Sequence, residues 1–325
     1  MKICIYGAGA IGCWLAAHLH RVGYKPNLVA RGAHLDTLKR DGLQITEASK
    51  SQSIQVKAFG DQDDLTPQDL IIVTLKAHSI SPALHHLTSL IHENTYVLFA
   101  VNGVPWWFFY GLGGGRTEQP LHSVDPNGRI WKEIGPQRTI GCVLYPAVEL
   151  IAPGVIRHVS GDRISIGEPK ATNADRTERI ATILSNAGCR TAVRRDIRNE
   201  IWIKLWGNVA FNPLSVITGG TLDRLATDPG TQYIATRLME ETREIGSHYG
   251  ARFGMTIRKR IEGAASVGPH KTSMLQDYLQ GKPLETSAVL DAVLELASLA
   301  RVDAPTIRMV QSILHMKLST ERSET

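Results

Sequence analysis

The chain has 325 residues, a hydrophobic content of 43%, a charged content of 21% and a formal net charge of +5. A chain of this size can bury the cores of two domains, and its composition is that of an ordinary soluble globular protein. No apolar run reaches the roughly 18 residues of a membrane span, and the cations are dispersed rather than gathered with aromatic residues, so we expect neither a membrane nor a nucleic acid as partner.

The first predicted element is a short apolar strand at Ile3–Tyr6, followed by a glycine-rich turn and a helix. The turn has the spacing G-x-G-x-x-G in the context that dinucleotide binding requires. Gly7 permits the tight turn, Gly9 lets the backbone approach a pyrophosphate, and Gly12 allows close helix packing. A secretory signal is the competing interpretation, and the interrupting glycines argue against it. The cofactor contacts predicted from this loop are Gly7, Gly9, Ala10, Ile11 and Gly12.

The second predicted strand, Pro26–Ala30, ends at Arg31, about twenty residues after the glycine motif. An Asp or Glu at this place binds the ribose 2′-hydroxyl of NAD, whereas an arginine suits the 2′-phosphate of NADP. The sequence therefore predicts NADP(H) as the cofactor. The alternative is that Arg31 is only a solvated loop cation.

Two further apolar runs, Leu70–Leu75 and Tyr96–Val101, predict strands that end at Lys76 and at Asn102. Apolar strands that alternate with helical segments indicate a parallel sheet covered on both faces. Ligands bind such sheets beyond the carboxyl ends of the strands, which is where Lys76 and Asn102 fall.

The stretch 105–137 is rich in glycine, proline and aromatic residues, and it predicts a long irregular segment. Such a segment is often a lid or an interaction surface, and disorder is the alternative. Short strands predicted after it are expected to extend the sheet; they lie at 139–148, 155–159 and 163–166.

From about residue 195 the apolar period becomes helical, which predicts an all-α second half. The helices are predicted at 196–217, 229–249, 256–266, 270–280 and 284–300. We therefore predict an α/β domain at 1–194, doubly wound around a mostly parallel sheet, and a helical domain at 195–325.

The helix predicted at 196–217 carries a polar stripe of Lys204, Asn208 and Asn212 on an otherwise apolar surface. Residues four apart share one face of a helix, so the three side chains form a line about 12 Å long. Since no second polar face points to water, we expect a largely buried helix whose stripe lines a cavity that holds something polar. The alternative is a lysine that reaches the surface and two amides bonded to neighbouring backbone.

These residues resemble the ketopantoate reductase (2-dehydropantoate 2-reductase) family. The likeness covers nearly the whole chain in order, through GAGAIG, Arg31, VTLKA, Asn102-Gly103, EIWIKLWGNVAFNPLSVIT and SMLQDYLQGKPLE. The resemblance implies an N-terminal Rossmann domain and an all-α C-terminal domain similar to that of 6-phosphogluconate dehydrogenase. It further implies that NADPH reduces ketopantoate to pantoate in the cleft between them, a step of pantothenate biosynthesis.

The resemblance also implies roles for individual residues. Lys204 matches the catalytic lysine, which donates a proton to the carbonyl oxygen as hydride arrives from NADPH, and partial burial would move its pKa toward the working range. Glu285 matches the family glutamate at the cofactor and catalytic centre. The positions that match substrate contacts are Asn208, Asn212, Ser273 and Gln276, and those that match cofactor contacts are Lys76, Asn102, Ala147 and Glu285. A helix cap at Ser273 and a solvated acid at Glu285 are the alternative.

Departures from the family pattern concern the substrate. The family commonly continues its glutamate as Glu-Ile-Asp, whereas this chain reads Glu285-Thr286-Ser287, and its segment 105–115 looks longer than in compact members. These differences leave open a different 2-keto acid or a bulkier carbonyl compound. A non-catalytic NADP-binding sensor is the third hypothesis, and the intact Lys204 and Glu285 argue against it. A homodimer is a hypothesis for the assembly, and the sequence does not fix the oligomeric state.

The remaining reactive side chains predict neither a disulfide nor a metal site. The four cysteines show no metal-type or redox-pair spacing, so they are most simply reduced thiols in a cytoplasmic protein. The 12 histidines are spread without a ligand-like cluster. The basic run 258–260 is interpreted as a solvated helix face.

Overall fold

The computed structural model describes residues 1–48, 50–115, 117–170 and 174–323. The chain forms two compact units. Unit 1 comprises Met1–Val101, Trp107–Pro120 and Gly128–Ile197, and unit 2 comprises Asn102–Trp106, Leu121–Asn127 and Arg198–Thr325. Two short stretches of the N-terminal half therefore belong to unit 2. The single domain boundary expected after residue 194 stays a prediction.

The described part of unit 1 contains the strands of the protein. They are β1 Ile3–Tyr6, β2 Asn27–Val29, β3 Leu43–Glu47, β4 Lys50–Ile54, β5 Lys57–Phe59, β6 Gln68–Val73, β7 Ile91–Phe99, β8 Thr139–Leu144, β9 Ala147–Ala152, β10 Val155–Ser160, β11 Arg163–Gly167 and β12 Arg190–Val193. Eight of them form the main sheet in the order β12-β11-β8-β7-β6-β1-β2-β5. Every neighbouring pair in this sheet is parallel except β8 and β11. The predicted α/β fold around a mostly parallel sheet is confirmed.

A second, four-stranded sheet has the order β4-β3-β10-β9. The expectation that 139–148 forms one strand and that 155–159 extends the main sheet is therefore wrong. Strand β8 ends at Leu144, and Tyr145 and Pro146 separate it from β9. Strands β9 and β10 pair as an antiparallel hairpin in the second sheet. The burial patterns give the reason: β8 is buried throughout, whereas β9 and β10 keep exposed positions, as in a sheet with one solvated face.

The helices of unit 1 cover the sheets. They are α1 Ala10–Arg21, α2 Gly32–Asp41, α3 Ile80–Ser89, α4 Arg129–Glu133 and α5 Ala174–Asn186. Helix α1 packs against strands of both sheets, which is why its residues from Gly12 to Leu19 are all buried. Trp14 and Leu19 on this helix are fully buried, and each such leucine stabilises the fold by ~1.5–3 kcal/mol relative to an exposed one.

Unit 2 is helical in its described residues. Its helices are α6 Ile197–Thr218, α7 Leu222–Thr227, α8 Pro229–His248, α9 Ile257–Ala265, α10 Ser273–Leu279, α11 Ala292–Ala300 and α12 Pro305–Ser323, and a π-helical turn at Ser287–Asp291 precedes α11. Helix α6 is largely buried, as its sequence predicts. Trp206 is 1% exposed and donates its Nε1 hydrogen to Met239 O on α8 at 2.8 Å. Gly246 on α8 leaves room for Trp202, since an added Cβ would lie 3.1 Å from its ring.

Within the segment 105–137, Arg116 lies outside the described residues. The rest contains α4 and the 3₁₀ turn Pro126–Gly128, and a second 3₁₀ turn, Pro136–Arg138, begins at its end. Its aromatic side chains do not form an exposed surface. Those at positions 106 to 109 are between 1% and 4% exposed. They are core residues, and burying their large aromatic area stabilises the fold.

None of the helices in the described ranges combines the length and the apolar character that crossing a membrane requires.

Candidate active site and cofactor loop

The glycine loop between β1 and α1 has the geometry that its spacing predicts. Gly7 has a φ of +114°, which favours glycine, and α1 begins directly after Gly9 as its N-cap. A Cβ on Gly12 would lie 2.1 Å from Gly7 O, so only glycine lets the helix approach the turn. Among the described atoms, nothing lies within 4 Å of a Cβ placed on Gly9. Gly9 therefore presents an open backbone at a helix N-terminus, which suits a phosphate group, and this part of the chain fits a dinucleotide.

Two predicted cofactor residues lie at the same sheet edge as this loop. Gly7 N and Ala8 N both donate to Val29 O, at 3.2 and 2.9 Å, which joins the loop to the end of β2. Arg31 follows β2 by two residues, is exposed and is the N-cap residue of α2. Lys76 follows β6, the neighbour of β1 on the other side, and is half-buried. The carboxyl ends of three adjacent parallel strands thus carry a glycine loop and two cations.

The other predicted residue of unit 1 lies elsewhere. Ala147 is half-buried and begins β9 in the second sheet. Its role toward a cofactor stays a prediction.

In unit 2, three polar side chains form a continuous hydrogen-bonded chain. Lys204 Nζ donates to Asn102 Oδ1 at 2.7 Å. Asn102 Nδ2 donates to Glu285 Oε2 at 3.3 Å. Glu285 is only 6% exposed, so it is not the solvated acid of the alternative interpretation. The Asn102 amide has its oxygen toward the ammonium and its NH₂ group toward the carboxylate, which is the orientation that both charges favour. We call these residues the Lys204 triad.

The polar stripe of α6 continues further than its first three residues. Asn208 is half-buried, Asn212 is 7% exposed and Ser215 is fully buried. Ser215 Oγ lies 2.6 Å from Thr272 Oγ1, and Thr272 Oγ1 also accepts from Leu275 N at 3.1 Å, which caps α10. The stripe is thereby joined to the N-terminus of α10. Sequence reasoning missed Ser215 and Thr272, although Ser215 lies one helical step beyond Asn212 on the same face.

Ser273 and Gln276 differ in their surroundings. Ser273 is the first residue of α10 and is exposed; the cap is its neighbour Thr272. Gln276 Nε2 donates to Lys271 O at 2.9 Å, so this side chain is turned toward backbone. Ser273 directly follows Thr272, which contacts the end of the stripe at Ser215. Gln276 instead bonds to the backbone just before α10.

The thiols offer no competing nucleophile. All four cysteines are free and buried. Burial raises the pKa of Cys13 and Cys189 to about 12, which keeps both protonated at neutral pH. Within the described ranges, no group of three or more His, Cys, Asp or Glu side chains is placed to hold a metal ion. The chemistry of the described unit 2 residues is that of a lysine oriented by an amide and balanced by a carboxylate.

Comparison with known proteins gives a consistent result along the whole chain. The family described as ketopantoate reductase PanE/ApbA matches residues 3–171, and its C-terminal part matches residues 196–318. A 2-dehydropantoate 2-reductase from Mesorhizobium japonicum is 46% identical over 323 residues and covers 99% of each chain. Another from Pyrococcus horikoshii is 28% identical over 98% of each chain.

Solved structures show the same fold. The crystal structure of a protein from Ralstonia solanacearum MolK2 that is assigned to the ketopantoate reductases has a TM-score of 0.92 and 36% identity over 98% of each chain. A ternary complex of D-mandelate dehydrogenase with NADH and anilino(oxo)acetate has a TM-score of 0.86 at 20% identity, covering 98% of this chain and 99% of the other. The chain belongs to the ketopantoate reductase family.

Proposed function

We propose that this protein is an oxidoreductase that reduces 2-dehydropantoate (ketopantoate) to pantoate with NADPH, a step of pantothenate biosynthesis. The observation that carries the proposal is the Lys204 triad, in which a lysine is held for proton donation by an amide and a buried carboxylate. The 46% identity to a 2-dehydropantoate 2-reductase over the whole chain supports the substrate.

The family uses NADPH, and this chain has the residues to hold it. The backbone at Gly7, Gly9 and Gly12 would receive the pyrophosphate, and Arg31 would bind the 2′-phosphate. Lys76 adds a second cation at the same sheet edge. When bound, NADPH supplies the hydride that the carbonyl carbon requires.

Lys204 supplies the proton. Its ammonium has three hydrogens, and one of them is donated to Asn102 Oδ1. In the proposed reaction the ammonium transfers a proton to the carbonyl oxygen of the substrate, so that a hydride on carbon and a proton on oxygen together give a hydroxyl group. Lys204 is left as a neutral amine and regains its proton from solvent. Glu285 acts through Asn102 and stabilises the charged form of the lysine before each turnover.

The substrate carboxylate and hydroxyl require polar partners, and the stripe on α6 offers them. We assign Asn208, Asn212 and Ser273 to this role because Asn208 and Asn212 share the face of Lys204, and Ser273 stands at the helix terminus joined to that face through Ser215. Gln276 is assigned to substrate binding through the family resemblance alone.

A different 2-keto acid is the second candidate. The sequence Glu285-Thr286-Ser287 departs from the family's usual Glu-Ile-Asp, and Ser287 opens the π-helical turn beside the triad. D-mandelate dehydrogenase, which shares the fold, is named for a bulkier 2-hydroxy acid. A non-catalytic sensor is disfavoured, since a binding-only protein has no need of an oriented proton donor. We also propose a cytoplasmic location, which the four free thiols support.

The test is to follow NADPH oxidation with ketopantoate and with a panel of linear, branched and aromatic 2-keto acids. We expect ketopantoate to give the highest kcat/KM and pantoate to be the product. A higher kcat/KM for another keto acid would show that this compound is the substrate. No turnover of any carbonyl compound would favour the non-catalytic NADP-binding sensor.

A further inference from the structure

A backbone contact lies next to the Lys204 triad. Gly103 follows Asn102, and the next residue, Val104, donates its N–H to Ala288 O at 2.8 Å. Ala288 lies in the π-helical turn Ser287–Asp291, which begins two residues after Glu285. The contact of Gly103 and Val104 with Ala288 is called the clip below. It joins the chain segment that carries Asn102 to the turn that follows Glu285.

The clip requires glycine at position 103 for two reasons. Gly103 has a φ of +84°, a conformation that L side chains rarely adopt. A Cβ at this position would also lie 2.5 Å from Ala288 O and 2.6 Å from Ala288 C and Cβ. Most of these atoms are backbone, so they cannot move aside without changing the turn.

The π-helical turn makes the carbonyl available. In a regular α-helix, Ala288 O would accept the N–H four residues later, that of Ala292. Here Ala292 N–H donates to Ser287 O, five residues back. Ala288 O instead accepts from Val104. Ala288 is fully buried, so breaking this bond would leave a polar group unsatisfied away from water.

We propose that the clip is a positioning device for proton transfer, with Gly103 as its positioning residue. By fixing the backbone on one side of Asn102 to the turn beside Glu285, it holds the amide so that Oδ1 meets Lys204 Nζ and Nδ2 meets Glu285. Its part in catalysis rests on the proposed function. Since a displacement of about 1 Å at such a contact can cost ~10²-fold in rate, Gly103→Ala lowers kcat by about that factor.

The matched control is Gly250→Ala. Gly250 has nearly the same φ, +86°, but no described atom lies within 4 Å of its added Cβ. Both variants incur backbone strain and lose melting temperature. Only Gly103→Ala loses kcat as well. A second variant, Val104→Pro, removes the hydrogen bond to Ala288 O without adding an atom to Gly103. It also lowers kcat, and it tests the proposal if Gly103→Ala folds poorly.

A double-mutant cycle with Asn102→Ala separates positioning from general damage. If the clip acts through Asn102, Gly103→Ala has little further effect on kcat once the amide is gone, and the two losses are far from additive. Additive losses overturn the proposal. So does a kcat in Gly103→Ala that equals that of Gly250→Ala.

A second readout needs no turnover. Competitive acylation of Lys204 across pH, followed by mass spectrometry, gives the apparent pKa of its amine in the free protein. We expect this pKa to change in Gly103→Ala and in Asn102→Ala and to stay unchanged in Gly250→Ala. An unchanged titration in Gly103→Ala overturns the positioning role, whereas failure of the wild-type protein to reduce any 2-keto acid overturns the proposed function alone.

Discussion

Lys204 is directed by a side chain that is distant in sequence. Asn102 lies 102 residues before it, and Glu285 lies 183 residues after Asn102. The sequence alone points to Lys204 and Glu285 through the family resemblance, and it places Asn102 at a strand end. It does not predict that the amide bridges the two charges, because this depends on where three separate chain segments fold. Thr272 was missed for the same reason, whereas Ser215 could have been found from the helical face that it shares with Asn212.

Arg31 carries the first prediction at this scale. A bidentate contact between arginine and phosphate is worth ~1.5–3 kcal/mol, enough for at least about tenfold discrimination. Arg31→Ala should raise the KM for NADPH and change that for NADH little, as steady-state kinetics with both cofactors would show. The control is Arg40→Ala, an exposed arginine on the same helix whose side chain is 70% accessible. Equal losses for NADPH and NADH in Arg31→Ala would show that Arg31 does not bind the 2′-phosphate.

The second prediction at this scale concerns the proposed substrate contacts Asn208 and Ser273. Each alanine variant should lose ~1–3 kcal/mol of transition-state binding, because a substrate oxygen is left without its partner. The expected result is a lower kcat/KM for the keto acid with an unchanged Kd for NADPH, measured by fluorescence titration. Ser266→Ala, which removes another exposed hydroxyl of unit 2, should change neither. Parallel weakening of NADPH binding would argue for a structural role.

Secondary-structure elements differ in how much of them the sequence reveals. The central strands were predicted because helices cover both faces of the main sheet and require continuous apolar runs, as in β1 and β6. Strand β4 has the exposure pattern of a solvated edge, with its first four residues exposed, and gives no such signal. Helix α12 begins where the 5% exposed Glu241 accepts from Thr306 N and Ile307 N, both at 2.9 Å. A cap supplied by a distant helix cannot be read from local sequence.

Glu47 on β3 contacts both α1 and β10. These contacts predict how the stability of the fold depends on pH. The Glu47 carboxylate contacts Arg21 Nη2 at 2.5 Å and His18 Nε2 at 3.4 Å on α1, and His158 Nδ1 at 3.2 Å on β10. Burial alone would raise the pKa of Glu47, but the Arg21 hydrogen bond and the surrounding positive charges outweigh it and lower the pKa below its ordinary value. A depressed carboxyl pKa stabilises the fold above the unfolded value, about 4.3, and this contribution is lost as pH falls through the folded value.

We therefore expect Glu47→Gln to be less stable than wild type near neutral pH, with the difference shrinking on acidification. Urea midpoints at several pH values below neutrality measure this. Glu149→Gln, which removes half of an exposed pair with Arg157 in the same sheet, should lose little at any pH. A gap between Glu47→Gln and wild type that stays constant with pH would contradict the linkage.

At the scale of the whole molecule, the two units contain different sets of the predicted site residues. Unit 1 contains the glycine loop with Arg31 and Lys76, and unit 2 contains the Lys204 triad and the polar stripe. The family match covers both. The sequence predicts this division from its change of period near residue 195, because parallel sheets and helical bundles have different apolar patterns.

The most direct test of this account is the turnover number of Lys204→Ala and Lys204→Arg with ketopantoate. General acid catalysis contributes ~10²–10⁴-fold, so Lys204→Ala should lose about that much in kcat while its NADPH affinity and melting temperature stay close to wild type. Lys204→Arg should restore little, because a guanidinium does not release its proton near neutral pH. Near-wild-type turnover in Lys204→Ala, or full activity in Lys204→Arg, would contradict the assignment of Lys204 as the proton donor.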